Sequence, residues 1–383
     1  MKFSILAKDL KRALSTCNEV APASSSIAEE KTGVLLRARE GGVVFMSSDE
    51  TSYVSVAIPA DVQEEGEALV RCGTVTSSVS ATFTEDEITI SVGTTDKATL
   101  KISGGSVVKH NRTFPLLNAG FFVETPKFDK SQATQIKALD FQDGLLAVAN
   151  AASRDPSKQH LNCVSATFTD NEVVFAATDG IQIFEFRKTA QVPDEGLRGS
   201  FILGLKFANV VAKHVADVLR VGEGADVVDI YVEEDNFFLR SGETTLVGTL
   251  LRTTFPDYVP FLATQGKLLA IFPKEEFLAV LAGMQPTVDA KSHRMVVDAK
   301  REGKAIISTS SITGEAESSD LDVETPEDFI LHFDALLLQN SIRQLKGERF
   351  EFYFNSQTAN DVVLKSPKYE DFRALVCTLK PVS

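Results

Sequence analysis

The chain has 383 residues, long enough for two to four domains at about 100–200 residues each. Hydrophobic residues are 43% and charged residues 24%, an ordinary globular balance that excludes disorder, collagen and low-complexity scaffolds. The net charge is −14, so coating nucleic acid by bulk attraction is excluded and only basic residues segregated on one surface could meet it.

The opening Met1-Lys2-Phe3-Ser4-Ile5-Leu6 is too briefly apolar for a signal peptide, because Lys8, Asp9, Lys11 and Arg12 follow at once. Apolar runs such as 201–205 and 268–272 fall far below the roughly 20 residues of a membrane helix. A soluble, cytoplasmic protein without a membrane partner is the expectation. Cys17, Cys72, Cys163 and Cys377 are widely spaced and form no C-x-x-C, which predicts buried, reduced thiols. Val, Ser and Thr are abundant, Trp is absent and Phe numbers 26, so a strand-rich core of Phe, Val, Ile and Leu is expected.

Taken along the chain, three landmarks recur. A strand end runs into an amphipathic helix at 6–20, with Leu6, Leu10 and Leu14 at helical spacing. The same pattern returns at 139–154 with Leu145, Val148 and Ala149, and at 272–288 with Phe277, Val280 and Leu281. Pro273 is placed at the first turn of that last helix. The anchors 6, 139 and 272 are 133 residues apart. A second helical pattern begins near 72, 203 and 333, with Asp334 as N-cap of the last, at intervals of 131 and 130. The third landmark is a strand ending in small polar residues. It reads Val44-Phe45-Met46-Ser47-Ser48-Asp49, Val174-Phe175-Ala176-Ala177-Thr178-Asp179, and Ile306-Ile307-Ser308-Thr309-Ser310-Ser311. Alternating runs such as 54–58 and 350–354 fill the intervals, and Asp179-Gly180 marks a turn between strands.

One period of about 130 residues therefore predicts three tandem α+β modules, 1–127, 128–264 and 265–383, each with two helices and antiparallel sheets. Such modules can hide their sheet edges by pairing with the next. Three of them leave two free ends, which a second copy can close head to tail into a ring of six.

These residues carry a resemblance. Met1-Lys2-Phe3, Ala177-Thr178-Asp179-Gly180, Thr254-Phe255-Pro256-Asp257-Tyr258 and the triplicate layout resemble the bacterial DNA sliding clamps, the beta subunits of DNA polymerase III, in a divergent or phage-encoded form. The resemblance implies a homodimeric ring around double-stranded DNA, without sequence preference. It implies a clamp loader that places the ring, and polymerase and repair partners that dock through linear peptide motifs. It also implies a non-catalytic role; the widely spaced histidines and the lack of a carboxylate cluster separately predict no metal, and no cofactor is expected.

In this family the helices line the pore. Windows 6–20, 71–83, 139–154, 205–220, 272–288 and 334–346 carry 11 Lys/Arg against 8 Asp/Glu, a balance of +3 within a chain of −14. Lys8, Lys11 and Arg12 share a face of the first helix. Lys206, Lys213 and Arg220 recur every seven residues, and Arg343 and Lys346 lie three apart. All eight are expected to face DNA, where loose phosphate contact permits sliding; a solvated helix face is the competing reading. The loop 21–27 is neutral where relatives often carry a cation.

The resemblance also places a hydrophobic peptide cleft between the second and third modules. Its wall comprises Leu161, Thr178, Gly180, Ile181 and Ile183, with Pro256, Phe261, Val362, Leu375, Val376, Cys377 and Leu379. Ile181 stands where the family commonly has His, Pro260 where Arg is common, and Thr378 where Pro is usual. Those departures predict a more apolar, less basic cleft with a shifted peptide preference.

No phosphate-binding G-x-x-x-x-G-K-[ST] loop, G-x-S-x-G elbow or H-E-x-x-H motif is present. An enzyme with a dispersed site and a non-catalytic virion repeat protein are the competing classes.

Overall fold

The structure is a computed structural model. It describes all residues except 22–30, 32, 84–86, 94–97, 106–107, 190–195, 223–225, 264–265, 311–315, 356–360 and 382–383. The neutral loop, past Ala21, therefore lies outside the described residues, as does Ser311.

The first third runs β1 (Lys2–Leu6), α1 (Ala7–Val20), β2 (Gly33–Arg39), β3 (Gly42–Ser48), β4 (Ser52–Pro59), β5 (Asp61–Glu64), β6 (Gly66–Arg71), α2 (Cys72–Thr82), β7 (Glu87–Gly93), β8 (Thr99–Gly104) and β9 (His110–Pro115). The second runs β10 (Thr134–Lys137), α3 (Ala138–Ala149), β11 (Cys163–Phe168), β12 (Glu172–Thr178), β13 (Gln182–Thr189), β14 (Gly199–Gly204), α4 (Leu205–Val221), β15 (Val227–Glu233), β16 (Asn236–Ser241), β17 (Thr244–Thr249) and the short α5 (Val259–Ala263). The last runs β18 (Leu268–Pro273), α6 (Lys274–Met284), β19 (Arg294–Lys300), β20 (Lys304–Ser310), β21 (Ala316–Asp322), β22 (Phe329–Asp334), α7 (Ala335–Gln344), β23 (Arg349–Phe354), β24 (Asp361–Lys365) and β25 (Phe372–Cys377). The architecture is α+β with antiparallel sheets, as the sequence predicts.

Each strand-to-helix landmark is present, at β1–α1, β10–α3 and β18–α6, and again at β6–α2, β14–α4 and β22–α7. Two details differ from the reading of the sequence. Helix α3 stops at Ala149, short of 154, where the chain turns and the Ala151 and Ala152 N–H groups reach back to Val148 and Ala149. Pro273 is the residue before α6, the last of its strand, so its missing N–H costs neither element a bond. Asp334 does cap α7, its carboxylate accepting from the Leu336 and Leu337 N–H groups at 2.9 and 3.2 Å.

By packing, the chain divides into two compact units: residues Met1–Gln142, Val192–Leu197 and Lys206–Leu251, and residues Asp143–Gln191, Arg198–Leu205 and Arg252–Ser383. The first holds a sheet ordered β5-β1-β7-β8-β9 and a sheet ordered β10-β15-β16-β17-β4-β3-β2-β6. The second holds β14-β11-β12-β13-β25-β24-β23-β18 and β21-β20-β19-β22. Both eight-stranded sheets are two four-stranded runs joined antiparallel edge to edge, at β17–β4 with Val247 opposite Tyr53, and at β13–β25 with Ile183 opposite Leu375. Shared backbone bonds bury strand edges that would otherwise invite aggregation.

In the first unit α1 buries Ala7, Leu10, Ala13, Leu14, Cys17 and Val20, the stripe that its three- and four-residue spacing dictates. Leu10 and Leu14 are at most 1% exposed, a burial worth about 2 kcal/mol each. Its neighbour α2, of sequence CGTVTSSVSAT, has no charged residue at all. Phe207 of α4 lies against Gly248, where a Cβ would fall 2.4 Å from the ring. The second unit is centred on phenylalanines: Phe272 packs on Phe277, Phe350 and Phe352 with ring centroids 5.0–5.4 Å apart.

Candidate functional site

The second unit carries an apolar cleft of about 240 Å³. Its lining is Leu161, Thr178, Gly180, Ile181, Gln182, Ile183, Pro256, Asp257, Tyr258, Phe261, Asp361, Leu375 and Cys377.

One wall is the turn between β12 and β13. Gly180 takes φ +98°, a conformation that Cβ-bearing residues avoid. The Asp179 carboxylate accepts from the Ile181 and Gln182 N–H groups at 2.9 and 3.0 Å, and from Gln182 Nε2 at 2.9 Å. The Thr178 hydroxyl donates to the Gln182 carbonyl at 2.6 Å and accepts from the Gly180 N–H at 3.0 Å. With its backbone so satisfied, the turn presents Ile181 to solvent at 51% exposure. The Cys377 N–H donates to the Ile181 carbonyl at 3.0 Å and fastens the turn to the end of β25.

The opposite wall is the segment around α5, with Phe261 38% exposed. A helix of five residues cannot satisfy its own last carbonyls. Asn355, fully buried, donates Nδ2 to the Phe261 carbonyl at 2.9 Å, and Arg373 donates Nη1 to the Leu262 carbonyl at 3.2 Å. Arg373 is held in turn by Glu185, 1% exposed, through Nε at 2.7 Å, and Arg187 adds a second cation at 3.3 Å. Burial pushes the Glu185 carboxyl up, but the two guanidinium groups outweigh it and hold the carboxyl below its ordinary value. Burial and that same carboxylate raise the Tyr258 phenol. Beneath the cleft, Leu262, Val363 and Leu375 form a buried cluster against which Ile183, Tyr258, Tyr353 and Cys377 pack. Leu161 is fixed at the third side by its N–H to Lys158 O at 2.8 Å and by its carbonyl, which accepts from the Ser153 N–H at 2.9 Å.

Nine of the twelve residues expected here come together: Leu161, Thr178, Gly180, Ile181, Ile183, Pro256, Phe261, Leu375 and Cys377. Three do not line the cleft. Val362 and Val376 are 0% exposed and directly paired, on the face of the sheet opposite Leu375 and Val363, because strand side chains alternate. Leu379 lies past β25, where its N–H bonds the His332 carbonyl at 2.7 Å. Gln182, Asp257, Tyr258 and Asp361 complete the lining without having been expected. Asp257 and Tyr258 belong to the Phe-Pro-Asp-Tyr motif that carried part of the resemblance, so a signal for them was present. Three of the cysteines are buried as expected, whereas Cys377 is half-exposed in the cleft, its thiol pushed up to about 12 by burial and then by Asp361.

Seven of the eight basic residues are exposed, and several of them are ion-paired. Lys8, Arg12 and Arg343 are exposed and Lys11 is half-buried. Arg12 lies 3.8 Å from Asp9 one turn earlier. Lys206 pairs with Asp49 and donates to the Val20 carbonyl at 3.0 Å, the last of α1. Lys213 pairs with Glu19. These two α4 lysines thus brace the end of α1 while staying 52% and 54% exposed. Arg220 pairs with Asp217 of its own helix at 3.0 Å. Lys346 reaches Asp371 at 3.1 Å and Asp143 of α3 at 3.4 Å, with its ammonium 5.8 Å above the Phe186 ring. Of the carboxylates these basic residues meet, only Asp49 and Asp371 lie outside the helical windows, so they offset part of the +3 balance.

Among the described residues, no three His, Cys, Asp or Glu side chains gather as metal ligands, and no helix is long and apolar enough to cross a membrane.

No family model matches the chain. The beta sliding clamp of Rickettsia felis is 24% identical over 388 residues, covering 96% of each chain. That of Chlamydia muridarum is 23% identical over 295 residues, 76% of each. Among solved structures, the DNA polymerase III beta subunit of Thermotoga maritima superimposes with a TM-score of 0.89 at 16% identity over all of both chains. The DnaN sliding clamp of Pseudomonas aeruginosa bound to griselimycin gives 0.87 at 17%, again end to end. In fold, and in sequence at 23–24% identity, the chain is thus similar to bacterial beta sliding clamps.

Proposed function

We propose that this chain is a DNA polymerase processivity factor: a non-catalytic clamp, built of modules 1–127, 128–264 and 265–383, that closes as a homodimer around duplex DNA in the cytoplasm. It tethers polymerase and other replication proteins through the apolar cleft, and a loader opens it. The observation that carries the reading is the end-to-end similarity, in sequence and in fold, to beta sliding clamps. The test is topological. Once loaded, the protein is expected to stay on circular DNA and to be lost when the circle is cut; equal loss from both forms would overturn the reading.

The repeat supports a specific mode of closure. Three runs are equivalent by element order: β1-β7-β8-β9, β10-β15-β16-β17 and β18-β23-β24-β25. So are β6-β2-β3-β4, β14-β11-β12-β13 and β22-β19-β20-β21. Two of the possible joints are made within the chain, β17 to β4 and β25 to β13, which leaves β9 and β21 as the matching pair. Carrying the register of those joints over sets Thr113 of one copy opposite Ala316 of the other. Arg112 then faces Glu317 and Lys109 faces Asp320, so a basic edge meets an acidic one. The dimer is expected at twice the chain mass of 41.6 kDa. Arg112→Glu should weaken it at least about ten-fold, and Glu317→Arg in the same chain should restore it, read by sedimentation. A dimer indifferent to both changes would exclude this register.

A further inference from the structure

The two eight-stranded sheets repeat one row of side chains across their joints. At the β13–β25 joint the row runs Ile183, Leu375, Val363, Tyr353, each directly opposite the next, and it carries the cleft. At the β4–β17 joint the same register gives Tyr53, Val247, Phe238, Tyr231. The turn at the head of each row is built alike. The Asp49 carboxylate accepts from the Thr51 and Ser52 N–H groups at 3.0 and 2.7 Å, as Asp179 does from Ile181 and Gln182. Glu50 takes φ +75° where Gly180 takes +98°. The Thr249 N–H donates to the Thr51 carbonyl at 2.7 Å, as Cys377 does to Ile181. The first unit therefore holds a counterpart of the cleft, matched position by position, and its own side chains fill it. Tyr231 and Phe238, each 2% exposed, stack with ring centroids 4.4 Å apart, and the Phe128 ring meets Tyr231 edge-on at 5.0 Å. The Tyr231 hydroxyl accepts from the Asp129 N–H at 2.9 Å and donates to the Lys127 carbonyl at 3.3 Å, which ties the segment bearing Phe128 down onto the row. In the second unit Val363 stands for Phe238 and Ile183 for Tyr53, and the Tyr353 hydroxyl donates to Glu351 of its own strand at 3.1 Å. The rim changes in the same sense, with Ile181 and Cys377 where the first unit has Thr51 and Thr249.

Resting on the reading of this cleft as a linear-peptide site, we infer that positions 183 and 363 decide which joint takes a peptide. Ile183 and Val363 keep the second unit's cleft open, and Tyr53 and Phe238 close its counterpart in the first. An apolar anchor gains by covering apolar surface that water still reaches. Where aromatic rings of the chain already cover the row, that gain has been taken up in folding. Val363 lies beneath the cleft with Leu262 and Leu375, so its small side chain sets the depth of the floor, and Ile183 lies in the lining itself. Both are specificity determinants: they leave the backbone of the joint unchanged and set only the room above it.

The experiment uses the full chain and a fluorescein-labelled synthetic peptide with a Leu-Phe anchor, with affinity read by fluorescence polarisation and stoichiometry by titration calorimetry. The unaltered chain is expected to bind one peptide. Ile183→Tyr should weaken binding at least about ten-fold, since the added ring occupies the room the anchor needs, whereas Ile183→Val should stay close to the unaltered affinity. Val363→Phe should weaken it likewise, with urea denaturation showing that the variant is folded; if it is not, Ile183→Tyr decides alone. Thr51→Arg, at the rim of the closed counterpart, should change neither affinity nor stoichiometry. Two peptides per chain, an effect of Thr51→Arg, or an Ile183→Tyr variant of undiminished affinity would overturn the inference and leave the peptide-cleft reading standing. If the peptide does not bind, or if Ile181→Asp leaves binding unchanged, the cleft reading itself fails and takes the inference with it.

Discussion

His214 shows how one side chain couples burial to pH. It lies on α4 at 7% exposure, its Nε2 unpartnered among the described residues. Burial lowers its pKa to about 4; Arg12 pushes the same way and Asp217 opposes both. The folded state therefore holds the imidazole neutral, while the unfolded chain takes up a proton near pH 6.5. Between about pH 6.5 and 4 the unfolded state binds more protons, so stability falls as pH falls, by about 3 kcal/mol across the window. His214→Phe should flatten that part of the urea-denaturation profile; an unchanged slope would place the titration elsewhere. Nothing in the sequence marks this histidine, since its environment is assembled from α4, α1 and β16. Legible at this scale were residues whose role is local: Asp334 as a cap, and Asp179-Gly180 as a turn. Val362 and Val376 were misplaced for a different reason. Adjacent positions on a strand point to opposite faces, so a cleft assigned by neighbourhood takes in residues the alternation sends away.

At the scale of elements, α5 depends wholly on its surroundings. Five residues cannot nucleate a helix in isolation. Its carbonyls are held by Asn355 and Arg373, and Arg373 by Glu185, which stands between two guanidinium groups. Glu185→Ala would leave both cations without their buried partner. Since Arg187 and Arg373 are 39% and 27% exposed, solvent recovers part of the loss, and a cost of about 2–3 kcal/mol is expected in chemical denaturation. Binding at the cleft should weaken with it, because the wall that carries Phe261 loses its tie. A variant of undiminished stability would show the cluster to be ornamental. The long helices, by contrast, were readable in advance: an apolar residue every three or four positions, bounded by a strand end, is enough to place α1 or α7. The brace from Lys206 and Lys213 to the end of α1 was not, because seven-residue spacing records which face a cation shares and leaves open what lies opposite it.

At the scale of the molecule, the period of about 130 residues was the most informative feature of the sequence, because three landmarks kept one register. What the period does not encode is how far packing binds one module to the next. Both eight-stranded sheets take half their strands from either side of a module boundary, so compactness follows the joints and yields two units.

The two joints within the chain are also bridged by lysines on or just past the second helix of a repeat, Lys206 and Lys213 to Asp49 and Glu19 in one case and Lys346 to Asp143 in the other. In the third, the corresponding helix is α2, made of Cys, Gly, Thr, Val, Ser and Ala, with nothing ionic to contribute. A closed dimer would then own a seam of a different quality from its internal joins, zipped along one backbone ladder and unlatched above it. Dilution should part the two copies while each remains folded, and the place where such a ring yields would be written into eleven small, uncharged residues.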